Sequence, residues 1–92
     1  MTHVVVYDIE DDRVRARVAS VLEGYGSRVQ ESVFECRLRD GELDELVSRL
    51  REELKRPESG QIRVYRVCGS CMQASFGIGD IKSVDTGSCY IV

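Results

Sequence analysis

Asp8 closes the apolar run Val4-Val5-Val6-Tyr7-Asp8, which starts almost at Met1. In an alternating strand it shares a face with Val4 and Val6, near the strand's carboxyl end. A carboxylate there can ligate a hard divalent cation through oxygen. It can equally serve as a helix-entry acid that accepts backbone amides. One carboxylate is too small a ligand set for magnesium, and a dimer that brings two together would answer that objection. Arg13 and Arg17 share a helix face while Arg15 points away. Their charge pattern fits a solvated helix surface, and Arg28, Arg37 and Arg39 add basic groups from the central strands. Tyr7 and Phe34 can stack on bases, but filling a core or an interface is the simpler task for both. His3 has no acid or nucleophile near it in the sequence and receives no role.

The four cysteines stand at 36, 68, 71 and 89. Cys68-Gly-Ser-Cys71 has the spacing of half a zinc knuckle, but Cys36 and Cys89 are not spaced as the other half. A redox Cys-x-x-Cys normally opens a helix after a strand. Here the stretch after Cys68 is polar and glycine-containing, with no helical period. Ordinary or buried thiols are the simplest reading. The chain has no Gly-rich phosphate loop, no Ser-His-Asp order and no two-histidine zinc helix.

The elements that must position these residues follow from periodicity. Residues 3–9 alternate as a strand, and Glu10-Asp11-Asp12 is an acidic turn suited to cap a helix. Val14, Val18, Val21, Leu22 and Tyr25 then fall at helical spacing, with Gly26 placed as a left-handed stop. Residues 27–39 return to β character, with a phase slip near Gln30-Glu31-Ser32 that predicts a hairpin or bulge. Leu43, Leu46, Val47, Leu50 and Leu54 mark a second helix over 42–55. Pro57 to Gly60 is a turn and Gln61 to Cys68 another strand. The order predicts an α+β chain with the ferredoxin-like βαββαβ plan, an antiparallel sheet with two helices on one face. One domain is expected over 1–92, with a core at 1–68 and an appendage at 69–92 ending in a short strand, Cys89-Tyr90-Ile91-Val92. The open sheet face invites a second copy.

Composition bounds the classes. At 92 residues, 42% hydrophobic and 32% charged, the chain suits one small soluble domain. No apolar run approaches the roughly 20 residues of a membrane helix. The N-terminus lacks the features of a secretory signal, so a cytoplasmic, non-membrane protein is expected. The net charge of −3 weighs against a whole-protein grip on nucleic acid. The deficit lies in residues 40–59, so basic stripes elsewhere remain open.

Two runs carry a family resemblance. Val4-Val5-Val6-Tyr7-Asp8-Ile9 is followed by Asp11-Asp12-Arg13-x-Arg15-x-Arg17-Val18-Ala19. Farther on comes Leu22-x-x-Tyr25-Gly26-x-Arg28-Val29-Gln30-x-Ser32-Val33-Phe34-Glu35. Together they resemble the Cas2 family of small CRISPR-associated adaptation proteins, closely over about the first 40 residues. The resemblance implies a homodimer of ferredoxin-like subunits, the C-terminal strand of one pairing with the sheet of the other. It implies that Asp8 meets its twin across the interface and holds magnesium, with manganese as a possible substitute. Tyr7 would line the site, Arg15, Arg17 and Arg28 would contact phosphate, and Phe34 would sit by the interface.

Three functions follow for testing. The resemblance implies a metal-dependent endonuclease on single-stranded RNA or double-stranded DNA, acting in spacer acquisition. It implies, alternatively, a non-catalytic adaptor that bridges two integrase dimers and binds duplex DNA. Outside the family stands a ligand-binding regulatory domain, weakened by the lack of a Gly-rich loop. The resemblance supplies no role for the cysteines.

Overall fold

The β-branched and aromatic residues of Thr2–Ile9 form strand β1 at the heart of the sheet. The computed structural model describes residues 1–79. Helix α1 (Asp12–Glu23) follows, then β2 (Gly26–Gln30), β3 (Val33–Arg37), helix α2 (Glu42–Glu53), a 3-10 turn at Pro57–Ser59, β4 (Gly60–Val67) and a short helix α3 (Gly69–Ala74). The sheet order is β2-β3-β1-β4, with every neighbouring pair antiparallel. This is the expected α+β arrangement. The expected strand at Cys89–Val92 lies outside the described residues. Among the described residues no helix is long and apolar enough to cross a membrane.

Val5, Tyr7 and Ile9 of β1 turn to one face, where they meet Phe34 and Cys36 of β3, Val18 and Leu22 of α1, and Leu46 and Leu50 of α2. Both helices therefore cover the same face. On the other face, which neither of these helices covers, Val4 and Val6 are half-buried and Asp8 is exposed.

The acidic turn does cap α1, since the Asp11 carboxylate accepts from the amides of Arg13 at 2.9 Å and Val14 at 3.1 Å. The end of α1 differs from the expectation. The helix stops at Glu23, capped by Gly24 with right-handed angles. Tyr25 leaves it to donate its hydroxyl to Glu45 of α2, with Arg49 5.8 Å over its ring. Gly26 is no left-handed stop. It opens β2, and a Cβ there would lie 2.1 Å from the Glu35 carbonyl oxygen and 2.7 Å from Cys36 Cα. The phase slip corresponds to a register shift between Arg28 and Gln30 opposite β3. A second difference is α3, a helix where the sequence shows no period.

His3, assigned no role from sequence, is buried, and neither ring nitrogen has a hydrogen-bond partner among the described residues. Loss of solvent pushes the imidazole below its ordinary value of 6.5. The Met1 carbonyl opposes this, while the N-terminal ammonium and Arg66 reinforce it. The folded chain thus keeps His3 neutral, and the unfolded chain takes up the proton first as pH falls through about 6.5. Stability should therefore decline on acidification below that point. His3→Leu is expected to lose less stability between neutral pH and mild acid, measured by urea midpoints. Parallel acid profiles for the two proteins would contradict this.

Candidate metal and nucleic-acid site

Asp8 stands on the open face, directly opposite Gln61 of β4. It lines a cleft of about 340 Å³ with Glu10, Glu58, Ser59, Gly60 and Gln61. Every polar side chain in that set offers oxygen, the donor type of a hard cation, and three of them are carboxylates. Among the described residues of one chain, no three His, Cys, Asp or Glu side chains converge closely enough to hold an ion. The donor chemistry fits magnesium or manganese, and the described residues of one chain fall short of a full ligand set.

The backbone at Asp8 is fixed from two sides. Gly60, at φ 150°, lets β4 approach closely: a Cβ would lie 2.4 Å from the Asp8 carbonyl oxygen and 3.0 Å from Ile9 Cα. Arg15 reaches back from α1, donating Nη1 to the carbonyls of Ile9 at 2.9 Å and Glu10 at 3.2 Å. Its Nη2 pairs with Asp12. Three of the guanidinium's N–H donors thus hold the turn that follows Asp8.

The pairing register reveals neighbours that sequence reasoning passed over. Tyr65 stands opposite Val4, and Arg63 opposite Val6, so both share the open face with Asp8. Tyr65 is 49% exposed, and Arg63 Nη1 donates to its hydroxyl at 3.4 Å. Alternation along β4 places them on one face, but only the register shows that it is the face of Asp8.

Residues 1–74 match the family model for CRISPR associated protein Cas2. A Chloroflexus aurantiacus protein, "CRISPR-associated endoribonuclease Cas2 1", is 42% identical over 93 residues, spanning 100% of both chains. The chain belongs to the Cas2 family. Cas2 of Streptococcus pyogenes superposes at a TM-score of 0.74 with 27% identity, over 86% of this chain and 100% of that one. A chain in a "Partial Cas6-RT-Cas1--Cas2 complex" does so at 0.72 with 29% identity, over 85% of each.

One expectation drawn from Cas2 resemblance needs correction. Tyr7 does not line the Asp8 cleft. It is 3% exposed on the helix-covered face, and its hydroxyl donates to the Glu31 carbonyl at 3.1 Å. Alternation dictates this, because residues 7 and 8 of a strand point to opposite faces. Burial, above all, raises the Tyr7 phenol above its ordinary value. Phe34 is 0% exposed within this one Cas2 chain, its ring stacked on Tyr7 at a centroid distance of 6.3 Å. Its ring is part of the core of the single chain.

Of the three arginines that the resemblance assigns to phosphate, only Arg15 reaches the cleft's edge. Arg17 pairs through Nε with Glu53 of α2 at 2.9 Å, on the helical layer. Arg28 lies 5.3 Å over the Phe34 ring at the edge strand β2. Both are exposed. In this Cas2 chain Arg15 reaches the turn beside the candidate cation ligand, whereas Arg17 and Arg28 lie away from it.

Proposed function

We propose that this Cas2-family protein works in CRISPR adaptation as a homodimer closed over its open sheet face, with metal-dependent endonuclease activity on single-stranded RNA or duplex DNA. The observation that carries the reading is the setting of Asp8. It is an exposed carboxylate at the end of the half-buried Val4–Val6 row, in a cleft of oxygen donors, on the sheet face away from α1 and α2. Magnesium, or manganese in its place, would be held by Asp8 and the partner's Asp8. When bound, such an ion polarises a phosphoryl oxygen and lowers the pKa of its water.

The chain's own residues prepare that site. Gly60 and Arg15 fix the backbone on either side of the Asp8 carboxylate, so its position does not depend on a mobile loop. Glu10 and Glu58 keep the cleft negative, which repels a bare phosphate and favours loading the cation first. Val4, Val6, Val33 and Tyr65 supply apolar area for the second copy. Arg17 and Arg28, exposed elsewhere, are assigned to phosphates away from the cleft, and Arg15 to holding the Asp8 turn with its outer edge toward phosphate.

A second reading has its own support. The relative in the Cas1–Cas2 complex favours an adaptor that bridges two dimers of a Cas1 integrase and carries a short duplex. The readings separate in one experiment. Labelled single-stranded RNA and duplex DNA are incubated with the full chain across magnesium and manganese titrations, with a chelator control. Products that appear only with metal are the expected result. Duplex binding with no product at any metal concentration would remove the nuclease and leave the adaptor.

A further inference from the structure

Strand β4 runs straight into Cys68, and α3 begins at the next residue. The amide of Met72 donates to the Cys68 carbonyl at 2.9 Å, closing a helical turn over 68–72. A strand that delivers the first cysteine of a Cys-x-x-Cys to a helical turn is the local arrangement that the sequence did not reveal. Residues three apart on such a turn face the same side, with Cα atoms about 5 Å apart. That lies within the roughly 4.4–6.8 Å range that a disulfide spans.

Both thiols are exposed, and the turn that carries them is anchored. Met72 is buried, and Ser75 Oγ donates to the Cys71 carbonyl at 2.6 Å. Around Cys68, the Ser70 hydroxyl sits 3.3 Å from the sulfur. Among the described residues no third His, Cys, Asp or Glu joins the pair to complete a metal set, and structural zinc takes four ligands.

We propose that Cys68 and Cys71 form a thiol–disulfide exchange site, with Cys68 attacking and Cys71 resolving, whose oxidant is a low-molecular-weight disulfide of the glutathione class. The Cys68 thiolate attacks one sulfur of the disulfide, breaking its S–S bond and releasing one thiolate. Cys71 loses its proton to solvent and attacks the Cys68 sulfur of the mixed disulfide, releasing the second thiolate. Two protein thiols are oxidised by two electrons, and one small disulfide is reduced to two thiols that take up the two protons.

The division of labour follows from the surroundings. The Ser70 hydroxyl, then the Cys71 amide and thiol, draw Cys68 down to about 7. Cys71 is raised, first by its hydrogen bond to Cys68. Cys36 is pushed up to about 11 by burial, which leaves it inert.

The test treats the full chain with glutathione disulfide at neutral pH, followed by acid quench, alkylation and tryptic mass spectrometry. Cleavage after Arg66 and Lys82 isolates Cys68 and Cys71 on one peptide, 67–82, without Cys36 or Cys89. The expected result is a two-hydrogen mass loss on that peptide, reversed by dithiothreitol. Cys71→Ser should trap glutathione on Cys68. Cys68→Ser should react at Cys71 about five- to tenfold more slowly, because a larger thiolate fraction is partly offset by lower nucleophilicity. Equal rates in the two variants would overturn the proposal. So would glutathione on both cysteines without closure, a linkage to Cys89 or between chains, or stoichiometric zinc in the purified protein.

Discussion

Asp8→Asn is expected to lower metal-dependent cleavage by about a hundredfold or more, equivalent to at least about 2.7 kcal/mol of barrier. Asparagine keeps the shape and one oxygen of aspartate but removes the charge that a hard cation requires. The side chain is exposed and outside the hydrophobic core, so the fold should tolerate the change. In chelator, a dimer closed as proposed should be at least as tight in the variant as in the wild type, because two facing carboxylates would repel and two amides would not. The measurement pairs a cleavage assay with sedimentation on the same preparations. Loss of turnover with an intact dimer supports the nuclease. Equal turnover in both proteins would take the chemistry away from Asp8. A collapsed dimer would show that the carboxylate is structural.

The same alternation that put Asp8 on the open face also put Tyr7 on the covered one, together with Val5 and Ile9. Family resemblance nevertheless drew Tyr7 toward the site, and the strand geometry was the better guide. The role of Arg15 could not be read from spacing, because it depends on carbonyls of a turn that exists only after β1 and α1 have packed. Arg63 and Tyr65 were hidden for a related reason: their faces were legible, but their neighbours required the register with β1. At the level of elements, side-chain periodicity carried α1 through Tyr25 because that ring does pack inward, against α2. The backbone had already turned at Gly24, which periodicity does not report. The turn at Cys68 escaped because so short a helix leaves no period to detect. Strands and long amphipathic helices thus declare themselves locally, whereas sites assembled across strands do not.

Phe34→Ala is expected to be the most damaging single change to the fold. The ring is fully buried on β3, stacked on Tyr7, in the core cluster that includes residues of α1 and α2. Truncating such a ring costs about 3–5 kcal/mol through lost transfer energy and the cavity left behind. Small domains have only about 5–15 kcal/mol in total, so the thermal midpoint should fall by more than roughly 10 °C. Two further contacts go with the ring, its stacking on Tyr7 and the Arg28 guanidinium 5.3 Å above it. Arg28→Ala alone should cost much less, about 0.5–1 kcal/mol for an exposed cation over an aromatic face. Phe34→Leu should fall between, because most of the volume is kept. The series also separates a core residue from an interface residue. If Phe34 served mainly to hold two copies together, Phe34→Ala would give a well-folded monomer with near-native circular dichroism and an ordinary urea transition. A residue that holds the protomer's own layers together should instead lose helix and sheet signal in one transition at much lower urea.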